Sequence, residues 1–261
     1  MDTKQVLISP AELAQLQQTQ AVVLIDTRDA EAYATGHIPE AVNLREIFTF
    51  LATSSPEGLQ QMHQTFAAAL GNVGISGKET VVFYEDTLNG GYGQSCRGYF
   101  LLSWMGYADV KVLNGGYAAW LAEQRPVSMA TAVPLPAEFP AHLIRADIMV
   151  DKQAVFQALG TDTVLLDVRD TVEWIGESSS PYGADFAPRK GRLPGACWIE
   201  WYRFMKPSPQ CSVLKSPSEV QAECDSAGIA RNDEIIICCF KGARTANTFA
   251  AHMASATGAE V

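Results

Sequence analysis

Two tandem α/β domains, each a mainly parallel sheet flanked by helices on both faces, are predicted for this 261-residue chain by three observations. A set of short segments occurs twice in the same order. Within each copy, continuous Val/Ile/Leu runs alternate with helical stretches, the pattern of strands covered on both faces by helices. A Pro-containing stretch without helical period, Ser128 to Ala141, separates the copies.

Val22-Val23-Leu24-Ile25-Asp26-Thr27-Arg28-Asp29 returns as Thr163-Val164-Leu165-Leu166-Asp167-Val168-Arg169-Asp170. Gly36-His37-Ile38-Pro39-Glu40-Ala41 returns as Gly191-Arg192-Leu193-Pro194-Gly195-Ala196. Gly74-Ile75 and the run Thr80 to Tyr84 return as Gly228-Ile229 and Glu234 to Cys238. The offset is 141 residues at Asp26 and 155 at Gly36, so copy two carries a 14-residue insertion. It lies within Ile175 to Lys190, which is rich in Gly, Ser and Pro and reads as a loop. A repeat this long is a duplicated domain and not a solenoid. The predicted organisation is a first domain over 1–127, a linker over 128–141 and a second domain over 142–261.

In copy one, Val6-Leu7-Ile8 predicts a strand near 6–8, followed by a helix near 10–19. The apolar run from Val22 ends on Asp26 and predicts a strand over 22–26. A helix near 58–70, a strand over 80–84, a helix near 94–105, a strand over 110–113 and a helix near 116–123 complete the alternation. In copy two, the apolar run Ile235-Ile236-Ile237-Cys238 predicts a strand and a helix follows from near Thr245.

Composition narrows the function. An apolar fraction of 48% with 18% charged residues is ordinary for a globular protein. The net charge of −10 argues against non-specific binding to nucleic acid or anionic membrane. The N-terminus has no apolar signal-peptide core and no run approaches a membrane span, so a cytoplasmic protein is expected. Six cysteines and four histidines complete no zinc-ligand spacing, and neither metal nor cofactor is expected.

The chemistry concentrates in Cys239-Phe240-Lys241-Gly242-Ala243-Arg244. A cysteine between a buried strand and a helix N-terminus is set to be a thiolate. Backbone N–H groups of the short loop and the positive end of the helix favour the anion, and Lys241 and Arg244 add two cations. A structural thiol would need neither Gly242 nor the flanking charges. Cys238, one position back on the strand, faces the other way and is expected in the core; a vicinal disulfide is the weaker alternative. Cys96, beside Arg97 in a predicted helix, reads as packing.

With these residues in hand, the chain resembles the tandem-domain rhodaneses, a group of sulfurtransferases. The resemblance rests on the Asp-x-Arg segments at Asp26 and Asp167, the paired Gly-x-[Ile/Leu]-Pro-x-Ala turns, the Cys-x-x-Gly-x-Arg loop at Cys239, and Val112-Leu113-Asn114-Gly115-Gly116-Tyr117-Ala118-Ala119-Trp120. It covers nearly the whole chain. It implies that copy two is catalytic and copy one an inactive relative. Copy one places Glu85 where Cys239 stands, and its loop to Arg97 spans 12 residues against five from Cys239 to Arg244.

The resemblance implies double displacement through a Cys239 persulfide. The donor would be a small anionic sulfur compound such as thiosulfate; the acceptor would be cyanide or a thiol, including a protein thiol. It places Phe240, Lys241, Gly242, Ala243, Arg244 and Arg189 around the substrate, with Arg189 holding the donor's anionic group and Arg244 more inclined to lock the loop than to touch substrate. Phe240 and Trp174 form an apolar mouth or simply pack. Asp167 and Arg169 are read as a structural ion pair. The 3-mercaptopyruvate branch expects small residues after the cysteine and an arginine where Glu173 stands, so thiosulfate is favoured over mercaptopyruvate. Cdc25-like phosphatases and arsenate reductases share the fold but have five residues between cysteine and arginine; here there are four. A non-catalytic binding module is disfavoured by the intact loop. Aligned on copy one, copy two reaches Gly258 to Val261 without the closing strand and Gly-Gly…Trp helix, and the expectation is a truncated chain.

Overall fold

The computed structural model describes residues 5–45, 50, 55–140 and 144–256. Copy one runs β1 (Leu7–Ile8), α1 (Pro10–Thr19), β2 (Val22–Asp26), α2 (Ala30–Thr35), β3 (Val42–Asn43), α3 (Pro56–Asn72), β4 (Thr80–Tyr84), α4 (Gln94–Trp104), β5 (Val110–Leu113) and α5 (Gly116–Ala122). The strands form one parallel sheet in the order β1-β5-β4-β2-β3. All four strands and all four helices predicted for copy one are present. Its central strand β4 is buried at every position, which is why it reads as an unbroken apolar run.

Copy two contains α6 (Lys152–Ala158), β6 (Val164–Asp167), α7 (Thr171–Trp174), β7 (Cys197–Trp198), a 3₁₀ turn (Trp201–Phe204), β8 (Met205–Pro207), β9 (Ser212–Leu214), α8 (Pro217–Ser226), β10 (Ile235–Cys238) and α9 (Ala243–Ala256). Among the described residues its parallel sheet has the order β10-β6-β7, and β8 and β9 form a separate antiparallel hairpin. The expectation about a missing closing strand concerns the chain end, and 257–261 lie outside the described residues.

α9 begins at Ala243, two residues before the predicted start. Arg244 therefore stands in the first helical turn and not in the loop. The predicted linker is not free chain: Ala137 N–H donates to the Gly71 carbonyl at 2.9 Å, and His37 and Ser128 exchange two backbone hydrogen bonds. Residues 141–143 lie outside the described residues.

The two copies meet along α4 and α9. Phe249 of α9 packs edge-on against Phe100 at 5.3 Å and tilted against Tyr99 at 6.1 Å. Asn247 Nδ2 donates weakly to Cys96 Sγ at 3.8 Å. One apolar cluster runs through both copies, joining Phe83 and Trp104 to Phe204, Ala250 and Ala254.

Candidate active site

Cys239 follows directly on β10, whose register places Cys238 opposite Asp167 of β6. Cys239 is half-buried, and the chain turns back to α9 within three residues. The turn depends on Gly242, whose φ of +85° L side chains rarely adopt. That conformation brings the Gly242 N–H to 3.0 Å from Cys239 Sγ. The 14-residue α9 directs its positive end at the same place.

A cavity of about 170 Å³ opens on Cys239 and is lined by Phe240, Lys241, Ala243 and Arg244 together with Pro181, Tyr182 and Tyr92. Four of the six residues predicted around the substrate thus line it; Gly242 faces a larger apolar cavity of about 470 Å³, which also reaches Cys239 and runs along β10. The Lys241 ammonium lies 4.0 Å from the Tyr182 ring centre and 4.7 Å from that of Phe186.

Arg189 does not line the cavity. It sits exposed on the insertion, and Pro181 and Tyr182 from earlier in that insertion form the wall instead. Trp174 is also not at the mouth. It stacks on Trp198 at 5.9 Å and carries the Arg192 guanidinium at 4.2 Å on its face, so it packs, while Phe240 lines the cavity.

Arg244 is buried and bidentate to Glu173, at 2.5 and 3.2 Å, with Asp170 at 3.0 Å. Burial alone would lower its pKa, but the Glu173 hydrogen bonds and the nearby charges of Cys239 and Asp170 outweigh this and raise it. Its geometry is that of a lock between α7 and α9. The predicted Asp167–Arg169 pair is present, with contacts of 2.6 to 3.0 Å, and Arg169 also donates to the Gly191 carbonyl at 2.8 Å. Asp26, Arg28 and Gly36 repeat the motif in copy one.

All six cysteines are free, Cys238 and Cys239 among them. Burial pushes the Cys238 thiol up to about 12, with the Asp167 charge adding to it; the residue is half-buried and lines the larger cavity, not the closed core expected for it. Cys96 is fully buried, and burial, followed by the Glu85 charge, raises its pKa further still. In copy one, Glu85 occupies its own cradle. Its carboxylate accepts from Gly91 N–H at 3.0 Å, Ser95 N–H at 3.2 Å and Ser95 Oγ at 2.6 Å.

Three contributors were missed by sequence reasoning: Tyr92 of copy one, and Tyr182 and Phe186 of the insertion. Tyr92 stacks on Trp201 at 6.0 Å, so the long copy-one loop forms part of the copy-two cavity. Only the aromatic content of the two loops signalled this. Among the described residues, no cluster of His, Cys, Asp or Glu suits a metal ion, and no helix is long and apolar enough to cross a membrane.

A doubled parallel α/β domain with one loop cysteine at a strand-to-helix turn defines a narrow class of group-transfer proteins. The Rhodanese-like domain family matches residues 9–123 and again 152–261. Thiosulfate sulfurtransferase of Azotobacter vinelandii is 30% identical over 245 residues, covering 93% of this chain and 85% of the relative. The sulfur carrier protein TtuD of Thermus thermophilus is 26% identical over 243 residues, covering 90% and 81%. The crystal structure of SseA from Escherichia coli, described as a 3-mercaptopyruvate sulfotransferase, superposes with a TM-score of 0.76 at 20% identity over 95% of this chain and 93% of that one. The chain belongs to the rhodanese family of sulfurtransferases.

Proposed function

We propose that the protein moves a sulfane sulfur from thiosulfate to a thiophilic acceptor through a persulfide on Cys239. The observation that carries the reading is the Gly242 N–H at 3.0 Å from Cys239 Sγ, with Cys239 lining a cavity that Lys241 also walls. The Cys239 thiolate attacks the outer sulfur of thiosulfate. A Cys239 S–S bond forms, the donor S–S bond breaks, and its electron pair leaves with sulfite. The terminal sulfur of the persulfide carries the negative charge that the thiolate brought. Cyanide or a thiolate then attacks that sulfur and takes it as thiocyanate or as a new persulfide, returning the Cys239 thiolate.

Lys241 meets the anionic donor. The loop N–H and the α9 terminus stabilise the anion on sulfur before and after transfer, so no general base is required. Phe240 and Ala243 shape the cavity. Arg244, paired with Glu173 and Asp170, holds the loop against α7 and is not free to bind donor. Glu173, where the mercaptopyruvate branch expects an arginine, is buried in that pair, which supports thiosulfate as the donor. A cytoplasmic setting, which keeps thiols reduced, suits six free cysteines.

Intact-mass spectrometry tests the reading. Mixing with thiosulfate is expected to add the mass of one sulfur atom, cyanide to remove it, and Cys239→Ser to take up none. Efficient loading by mercaptopyruvate and not by thiosulfate would overturn the donor assignment. Loading that survives Cys239→Ser would overturn the residue.

A further inference from the structure

The insertion of copy two brings two aromatic side chains over the Cys239 loop. Tyr182 and Phe186 lie 5.3 Å apart, and each ring is 5.8 Å from that of Phe240. The Lys241 ammonium sits against this cluster, 4.0, 4.7 and 6.0 Å from the Tyr182, Phe186 and Phe240 centroids. None of the ion pairs among the described residues includes Lys241.

A carboxylate in the same place would also fix the ammonium, but it would cancel the charge. Ring faces attract a cation through their quadrupole and leave its charge in place. A lysine stem is flexible, so an unheld ammonium would spend little time at the cavity. We infer that Tyr182 and Phe186 are positioning residues for donor binding: they hold the Lys241 ammonium, un-neutralised, at the wall of the Cys239 cavity, where it meets the anionic end of the donor. The inference rests on the role proposed above for Lys241. It also gives the copy-two insertion a task that the basic residues at and just after its end, Arg189, Lys190 and Arg192, do not perform. Lys190 donates to the Glu177 carbonyl at 2.8 Å and Arg192 lies on Trp174, away from the cavity.

The test is thiosulfate kinetics on the full chain for Lys241→Ala, Tyr182→Leu, Tyr182→Phe and the Lys241→Ala/Tyr182→Leu double variant. Tyr182 is 58% exposed, so its truncation opens no core cavity. Tyr182→Leu is expected to raise the thiosulfate KM about twofold to fivefold, the range of an exposed cation–π contact, with a smaller change in kcat. Tyr182→Phe keeps the ring face and is expected to restore most of the loss. In the Lys241→Ala background, Tyr182→Leu is expected to add nothing, because the cation it holds is gone. An equal KM rise in both backgrounds, or no rescue by Phe, would overturn the inference. If Lys241→Ala raises KM but Tyr182→Leu does not, the inference falls and the donor-binding role of Lys241 stands. If Lys241→Ala leaves KM unchanged, both fall. Should Tyr182→Leu lose its melting transition, Phe186→Leu, itself 59% exposed, enters the same cycle.

Discussion

Five of the six cysteines sit where a thiolate is disfavoured or unassisted, and the sixth sits under a donor. Burial raises the thiols of Cys96 and Cys197 and pushes Cys224 to about 11 and Cys238 to about 12. Cys211 is half-buried beside the copy-one seam, away from the loop. Cys239 alone receives the Gly242 N–H, and that contact exists only because residue 242 holds a φ of +85°. A Cβ at this position would meet nothing, so Gly242→Ala isolates backbone strain from steric clash. Left-handed backbone costs a non-glycine residue about 1–2 kcal/mol, and relief of that strain would swing the N–H off the sulfur. Gly242→Ala is expected to lower the rate of persulfide formation by about tenfold or more while the melting temperature falls only a few degrees. Stopped-flow loading with thiosulfate measures the first and calorimetry the second. An unchanged loading rate would mean that the N–H contact has no part in activating Cys239.

Among the elements, α7 and α9 show what sequence spacing conveys and what it hides. The strands β2, β4, β6 and β10 were legible as apolar runs, although only β4 is buried at every position and β10 is half-buried along the larger cavity. α2, α7, β3 and β7, at six, four, two and two residues, are too short to set up a period and were not legible. The early start of α9 moved Arg244 into the helix, and its partner Glu173 lies 71 residues upstream, a distance no local pattern reports. The pair nonetheless ties α7 to the first turn of α9. Removing one member of a buried ion pair typically costs about 3–5 kcal/mol, because the other is left charged and unpaired. Asp170 remains 3.0 Å from Arg244 and compensates in part, so Glu173→Ala is expected near the lower end of that range. Urea denaturation of both proteins checks it. A midpoint equal to that of the parent would show that Asp170 alone suffices to hold the lock.

At the scale of the whole molecule, duplication explains both the legible and the illegible parts of the site. Alignment of the copies located the structural Asp-x-Arg pairs, whereas Cys239 and its loop were found from the strand-to-helix pattern and its cations, copy one having Glu85 there. Alignment did not reveal that the copy-one loop crosses the seam to place Tyr92 in the cavity, because that depends on how α4 and α9 dock. Copy one keeps the cradle but fills it with a carboxylate. Burial raises the Glu85 pKa from 4.5 to about 7, against the opposing effect of the Ser95 and Gly91 donors. The folded state therefore keeps this proton up to about pH 7, while the unfolded chain releases it near pH 4.5. The stability that Glu85 contributes is fully present below pH 4.5 and is lost as pH rises to about 7, with no further loss above. A shift of this size corresponds to roughly 3 kcal/mol. Other carboxylates titrate in the same window, so the parent's own pH profile does not isolate it. Glu85→Gln does, because the variant cannot ionise there. The difference in unfolding free energy, variant minus parent, is expected to move in favour of Glu85→Gln by roughly 3 kcal/mol between pH 4.5 and pH 8. Two denaturation curves that stay parallel across this range would show that Glu85 is ionised in the folded protein throughout, held by its three donors.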